Sequence, residues 1–185
     1  MYDLQHSERP FMKVYISCAL TCVPRKHFEQ YVSYIHRIAQ TLRSVGYEVT
    51  YALVNSDPQL AEKPFEERAR LCYLWDRELV QQADVVIAEA SFPSTGMGIE
   101  LQVAENMGTS IIVCFKRTAE TRLDPVEYAN PDHSRHSLQI GEGYVSLMTL
   151  GLPTVFKVIG YHTEEQGIAS LVDAVQLIRK NERHA

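Results

Sequence analysis

Short apolar runs alternate along this chain with longer stretches whose apolar residues recur every three to four positions. The first run, Met12 to Ser17, reads as a strand. Phe28, Tyr31, Ile35, Ile38 and Leu42 then share one face of a helix that Pro24 can open and Gly46 can stop. Tyr47 to Leu53 reads as a second strand. Asp57, Pro58 and Pro64 mark a loop, followed by a helix carrying Phe65, Leu71, Leu74 and Leu79. Asp84 to Ala90 makes a third strand, and a helix from Gly98 to Met107 stops at Gly108. Ser110 to Phe115 and the region from Thr154 to Ile159 supply strands four and five, and Ile168 to Arg179 a last helix. Strands that alternate with helices predict an α/β fold, a Rossmann-like or flavodoxin-like parallel five-stranded sheet with helices on both faces. The 185 residues fit one domain, with residues 1–10 as a flexible N-terminus. Lys116 to Gly143 breaks the pattern without a clear period and reads as a variable loop, a lid or an interface arm.

Composition removes several classes of function. A net charge of −5, with no basic stripe interleaved with aromatics, argues against nucleic acid as a partner. No apolar run approaches membrane-spanning length, and Met1 to Pro10 is too polar for a signal peptide. Four cysteines (Cys18, Cys22, Cys72 and Cys114) suit a reduced, cytoplasmic protein better than a disulfide scaffold. His133 and His136 lack partner ligands at metal-binding spacing and read as loop histidines.

One stretch carries candidate chemistry: Asp84-Val-Val-Ile-Ala-Glu-Ala-Ser-Phe-Pro-Ser-Thr-Gly-Met-Gly-Ile-Glu100. An apolar strand ends in a polar turn, Gly96 and Gly98 permit unusual backbone angles and close approach, and Glu100 falls in the first turn of a helix. The helix dipole there favours an ionised carboxylate, which at the C-terminal edge of a parallel sheet can serve as a nucleophile. The plainer account is a favourable charge near a helix start.

The run from Trp75 to Leu101 (Trp-Asp-Arg-Glu-Leu-Val-Gln-Gln-Ala, then the stretch above, then Leu) resembles the signature of the nucleoside 2-deoxyribosyltransferase superfamily. Within it the similarity is nearer to the nucleoside 5′-monophosphate N-glycosidases, the Rcl-type and CMP hydrolases. The joint spacing of Asp76, Ser94, Gly96 and Glu100 carries it. The resemblance implies that Glu100 is the nucleophile, that Asp76 orients it and handles the proton, and that Tyr15 hydrogen-bonds nearby. The chemistry implied is a retaining displacement through an oxocarbenium-like transition state.

Ser94 separates the branches of that superfamily. The transferases usually place an aspartate here, which reads the base, whereas the hydrolases place a serine on the 5′-phosphate. A hydroxyl with backbone N–H groups at a helix start suits a phosphate, so Ser94, Thr95, Gly96 and Gly98 are expected to bind it. The alternative is that Ser94 simply caps the helix. Ser17 and Ala19, where strand one gives way to the loop that follows it in these enzymes, are expected to bind the substrate or its phosphate. Here Ser17-Cys-Ala-Leu-Thr-Cys-Val-Pro24 lacks the usual glycines, and Thr21, Arg25 or Lys26 would have to substitute. Thr154 stands where relatives lend a residue to the neighbouring subunit.

The resemblance thus implies hydrolysis of the base–sugar bond of a nucleoside 5′-monophosphate by a homodimer or higher homo-oligomer, with no metal or organic cofactor. A deoxyribosyltransferase that exchanges bases is the second reading. A nucleotide-binding sensor without turnover is the third.

Overall fold

A computed structural model describes residues 11–182. The segment 1–10, expected to be flexible, lies outside the described residues. β1 (Lys13–Cys18) leads to α1 (Arg25–Ser44), whose N-cap is Pro24, the carbonyl of which accepts His27 N–H at 2.8 Å. Tyr31, Tyr34, Ile35, Ile38, Ala39 and Leu42 form its buried face. Gly46 ends it at φ 90°, a left-handed conformation costly for residues with a Cβ, and Tyr47 N–H then returns to Leu42 O at 3.2 Å.

β2 is shorter than the periodicity predicts, Glu48–Tyr51, and the chain turns at once into α2 (Ala52–Asn55) and α3 (Asp57–Leu60). The sheet accounts for this. β2 is an edge strand whose single neighbour, β1, pairs with it only from Lys13–Glu48 to Ile16–Tyr51. Beyond Tyr51 the pairing stops although β1 runs on to Cys18, and Tyr51 N–H is taken by Asn55 Oδ1 at 3.0 Å. The expected loop at Asp57 to Pro64 therefore holds a helical turn.

α4 (Phe65–Gln81) leads to β3 (Val85–Glu89), and α5 (Thr95–Asn106) to β4 (Ser110–Lys116). The segment expected to be irregular contains a small antiparallel hairpin, β5 (Glu127–Ala129) with β6 (Arg135–Ser137). Its six exposed residues have no buried face to impose a period, so no pattern betrays it in the sequence. α6 (Leu147–Leu150), β7 (Val155–Tyr161) and α7 (Glu164–Glu182) complete the chain.

The main sheet is parallel throughout, in the order β2-β1-β3-β4-β7. Every residue of β3 is buried, as expected of a central strand covered on both faces. One face packs on α1 and α7 around Ile16, Ile87 and Cys114. The other carries Tyr15, Val86, Ala88 and Val113 against Met97, Leu101 and Ala104 of α5. The strand order reverses between β1 and β3, so the crevice beyond their C-terminal ends is where such a sheet binds ligands. Among the described residues, no helix is long and apolar enough to cross a membrane.

Candidate active site

Residues two apart on a strand share a face, and Tyr15 and Ser17 both turn towards α5 near the C-terminal end of β1. Their hydroxyls meet the two carboxylate oxygens of Glu100. Tyr15 Oη donates to Oε1 at 2.9 Å, and Ser17 Oγ donates to Oε2. Both donors are fully buried, whereas Glu100 keeps part of its surface exposed. The carboxylate is fixed in place by two strand residues.

Its position on the helix differs from expectation. Ser94 is the N-cap, accepting a hydrogen bond from Met97 N–H at 3.2 Å, and α5 starts at Thr95 rather than Gly98. Glu100 consequently sits in the second turn, beyond the free N–H groups that were expected to favour its ionised form. Burial dominates instead and pushes its pKa up to about 7; the Ser17 and Tyr15 hydrogen bonds pull it down, and the nearby charge of Asp76 raises it further. Tyr15, held well above its ordinary value by burial and by Glu100, stays a proton donor.

Asp76 approaches from α4 and has its own supports. Ser56, buried just after α2, donates to Asp76 Oδ1 at 2.5 Å, and Cys72, one helical turn back, donates its S–H to Oδ2 at 3.4 Å. Burial and the Asp76 charge raise the Cys72 thiol to about 11, so it remains a donor. Two carboxylates thus face one region, each held by hydroxyl or thiol donors rather than by a cation among the described residues.

A cavity of about 710 Å³ runs along the start of α5, bordered by Ser94, Thr95 and Gly98 on one side and Leu147 and Met148 on the other; Tyr15, Ser17, Asp76 and Glu100 do not line it. Gly96 and Gly98 lie inside the helix, and neither takes the unusual backbone angles expected of them. A Cβ built at Gly98 would meet nothing within 4 Å, and one at Gly96 would meet Ser94 Oγ at 3.7 Å.

The chain matches no protein-family model. Among curated proteins, it is 31% identical over 106 residues to a Thermofilum pendens protein assigned as 2′-deoxynucleoside 5′-phosphate N-hydrolase 1, covering 57% of this chain and 69% of that one. The chain belongs to this N-hydrolase family. It is also 33% identical over 88 residues to the 5-hydroxymethyl-dUMP N-hydrolase of Esox lucius, a match that spans 47% of this chain and 61% of the pike protein. Among solved structures, the CMP N-glycosidase of Clostridium botulinum covers 86% of this chain and 97% of its own, with a TM-score of 0.50 and 20% identity. A conserved protein of Enterococcus faecalis V583 covers 90% and 98%, with a TM-score of 0.54 and 17% identity. These two share the fold with this N-hydrolase family member.

Three expected site residues fall elsewhere than in the Glu100 cluster. Ala19 N–H donates to Tyr31 Oη at 3.1 Å, so it is already satisfied and not open to a phosphate. Thr154 lies at the N-terminal end of β7, the opposite end of the sheet from the crevice, and its hydroxyl is buried within the protomer. Thr95 is exposed at the cavity edge rather than among the carboxylates. Two residues that hold Asp76, Ser56 and Cys72, went unnoticed in the sequence. Cys72 had a signal, the i, i+4 spacing to Asp76 on a helix. Ser56 had none, because only the β2-β1 pairing brings the segment after β2 beside α4.

Proposed function

We propose that this protein hydrolyses the N-glycosidic bond of a 2′-deoxyribonucleoside or ribonucleoside 5′-monophosphate, releasing the free base and the sugar 5-phosphate. The observation that carries the reading is a partly exposed Glu100 whose carboxylate is gripped by Tyr15 and Ser17 near Asp76, in a chain of the N-hydrolase family.

In this reading Glu100 is the nucleophile. Its carboxylate oxygen bonds to C1′ of the sugar as the C1′–N bond breaks, and the Asp76 carboxyl group passes a proton to the departing base. Water then attacks C1′ while Asp76 takes a proton from it, which frees Glu100 and leaves the sugar 5-phosphate. The sum is nucleotide plus water to base plus sugar 5-phosphate. Tyr15 and Ser17 hold the attacking oxygens and, by hydrogen bonding to the anion, keep it available near neutral pH. The exposed N-terminal turn of α5, with the Ser94 hydroxyl proton and the open surface at Gly96 and Gly98, takes the 5′-phosphate. Ser94 therefore both caps the helix through its lone pair and donates to the ligand.

The cavity beside α5 is walled by side chains that a lone protomer leaves bare, Met148 being 83% exposed. That supports a homo-oligomer whose neighbouring protomer closes the substrate site.

Chromatographic detection of free base tests the reading, with the protein incubated with ribo- and deoxyribonucleoside monophosphates beside the corresponding unphosphorylated nucleosides and an acceptor base. Base release from a monophosphate, lost in Glu100→Ala, is expected. Exchange between unphosphorylated nucleosides instead would overturn it.

A further inference from the structure

The wall of the α5 cavity that faces the helix start belongs to the segment between β4 and β7. Leu123, Leu138, Leu147 and Met148 on this wall are exposed, so burial does little to hold it. Backbone bonds close the neck of the segment, Leu123 N–H donating to Gly143 O at 2.8 Å and Gly143 N–H to Ile140 O at 2.9 Å. Gly143 makes this crossing at φ 83°, where a Cβ would lie 2.5 Å from Leu123 O.

A stack ties that neck to the sheet. Ile111 and Val113 face α5, and the alternation carries on through Phe115 to Arg117, whose N–H donates to Tyr161 O at 2.7 Å. The Phe115 and Tyr144 rings stack with centroids 5.0 Å apart. The Arg117 guanidinium lies over both, 5.7 Å from the Phe115 centroid and 6.0 Å from that of Tyr144, and its Nη2 reaches Glu142 Oε2 at 2.9 Å. An ion pair so exposed contributes little alone, but the aromatic contacts and a fitted groove fix its geometry. The groove is Gly160, opposite Phe115 on β7, where a Cβ would collide with Arg117 Nε.

We infer that Arg117 is a positioning residue for the reaction, a latch that sets the outer wall of the α5 cavity against the sheet and so governs how tightly the substrate monophosphate is held. Arg117 does not line the cavity. It acts through Glu142 and Tyr144, which flank Gly143 at the neck, and Tyr144 and Gly143 do line it. The effect on substrate rests on the proposed function, whereas the latch itself rests on geometry alone.

Gly160→Ala breaks the latch without removing a charge, because its Cβ meets the far end of a flexible side chain and drives the guanidinium from its groove. Arg117→Ala, Gly160→Ala and the double variant are compared by amide hydrogen exchange of the full chain and by base release from ribo- and deoxyribonucleoside monophosphates. Each single variant should speed exchange at the Leu123 and Gly143 amides by about tenfold or more and leave the β3 amides unchanged. Each should raise KM by about tenfold and hold kcat within about threefold. The double variant should match Arg117→Ala rather than multiply the two effects. Neck amides that exchange as in the wild type, an unmoved KM, or multiplied effects in the double variant would each overturn the latch. Were the wild type to release no base from any monophosphate, the functional reading and the claim on KM would fall together, and the exchange result would still decide the latch.

Discussion

Two carboxylates near the end of β3 are dressed almost alike. Glu100 receives a tyrosine from β1 and a serine, Tyr15 and Ser17; Glu89 receives a tyrosine from β7 and a serine, Tyr161 and Ser91. Burial raises both acids, and the hydrogen bonds oppose it. They differ in what surrounds the pair. Glu89 is sealed on the α1 and α7 face, 0% exposed, with Oε2 unpartnered among the described residues. Glu100 keeps an open side and has Asp76 beside it. The same donors therefore build a tie between β3 and the edge strand in one place and a group able to reach a substrate in the other. Access and a second proton-handling group, rather than the hydrogen bonds themselves, separate chemistry from architecture.

The largest expected effect sets the two apart directly. Glu100→Ala should lower kcat by about a thousandfold or more, with a smaller loss of melting temperature than Glu89→Ala. Steady-state base release and a thermal melt on the same preparation check this. Glu89→Ala should do the reverse. It leaves Tyr161 and Ser91 hydroxyls without their acceptor in a sealed core, which costs about 2–4 kcal/mol of unfolding free energy by denaturant titration. If Glu89→Ala proved neutral in stability, the sealed carboxylate would not be a structural tie.

Asp76→Asn tests the second half of the distinction. An amide cannot donate and retrieve the proton, so kcat should fall by about a hundredfold with KM little changed. Undiminished turnover would leave Glu100 to act alone.

The sequence made the central architecture legible because buried strands and amphipathic helices carry strong periods: β3, β4 and α1 lie where the pattern puts them. It lost accuracy where local pattern yields to context. Tyr47 to Leu53 looks like one strand, yet an edge strand lasts only as long as its neighbour pairs with it. The start of α5 depended on Ser94 capping, and that shift of a few residues moved Glu100 out of the dipole's reach and left burial to set its pKa. The pairing of Tyr15 with Glu100 came from family resemblance, since no local pattern joins residues so distant in the chain. Ser56 and the Glu89 cluster depend on strand order alone, which a single sequence does not state.

Proton linkage sharpens the comparison further. With its pKa raised from 4.5 to about 7 in the folded protein, Glu100 binds more protons folded than unfolded between those values. Its contribution to stability is full below the unfolded value and is lost as pH rises through about 7. Glu100→Gln should accordingly be more stable than wild type above neutrality, by roughly 1–3 kcal/mol, and less sensitive to pH. In the wild type the acid limb of kcat/KM should lie near pH 7, where the nucleophile ionises. Tyr15→Phe deletes a hydrogen bond that lowers this pKa, so the limb should move upward by about one pH unit. A limb that stays in place would remove Tyr15 from the control of Glu100.

The smallest effect concerns how the second carboxylate is held. Ser56 donates to Asp76 at 2.5 Å from a buried position, while Cys72 donates more weakly from 3.4 Å. Ser56→Ala should let the Asp76 carboxyl rotate without altering its charge, so kcat should fall by about five- to tenfold. KM should hold steady, because Ser56 touches no part of the proposed phosphate site at Ser94. Ser56→Thr keeps the hydroxyl and should recover most of the loss where its extra methyl is accommodated. A merely structural serine would give a different signature: Ser56→Ala would lower the melting temperature and leave kcat unchanged. A positioning serine should instead lower kcat with KM held and the melting temperature nearly unchanged. The Glu89 cluster predicts the contrast, since Ser91→Ala should lower stability and leave kcat where it is.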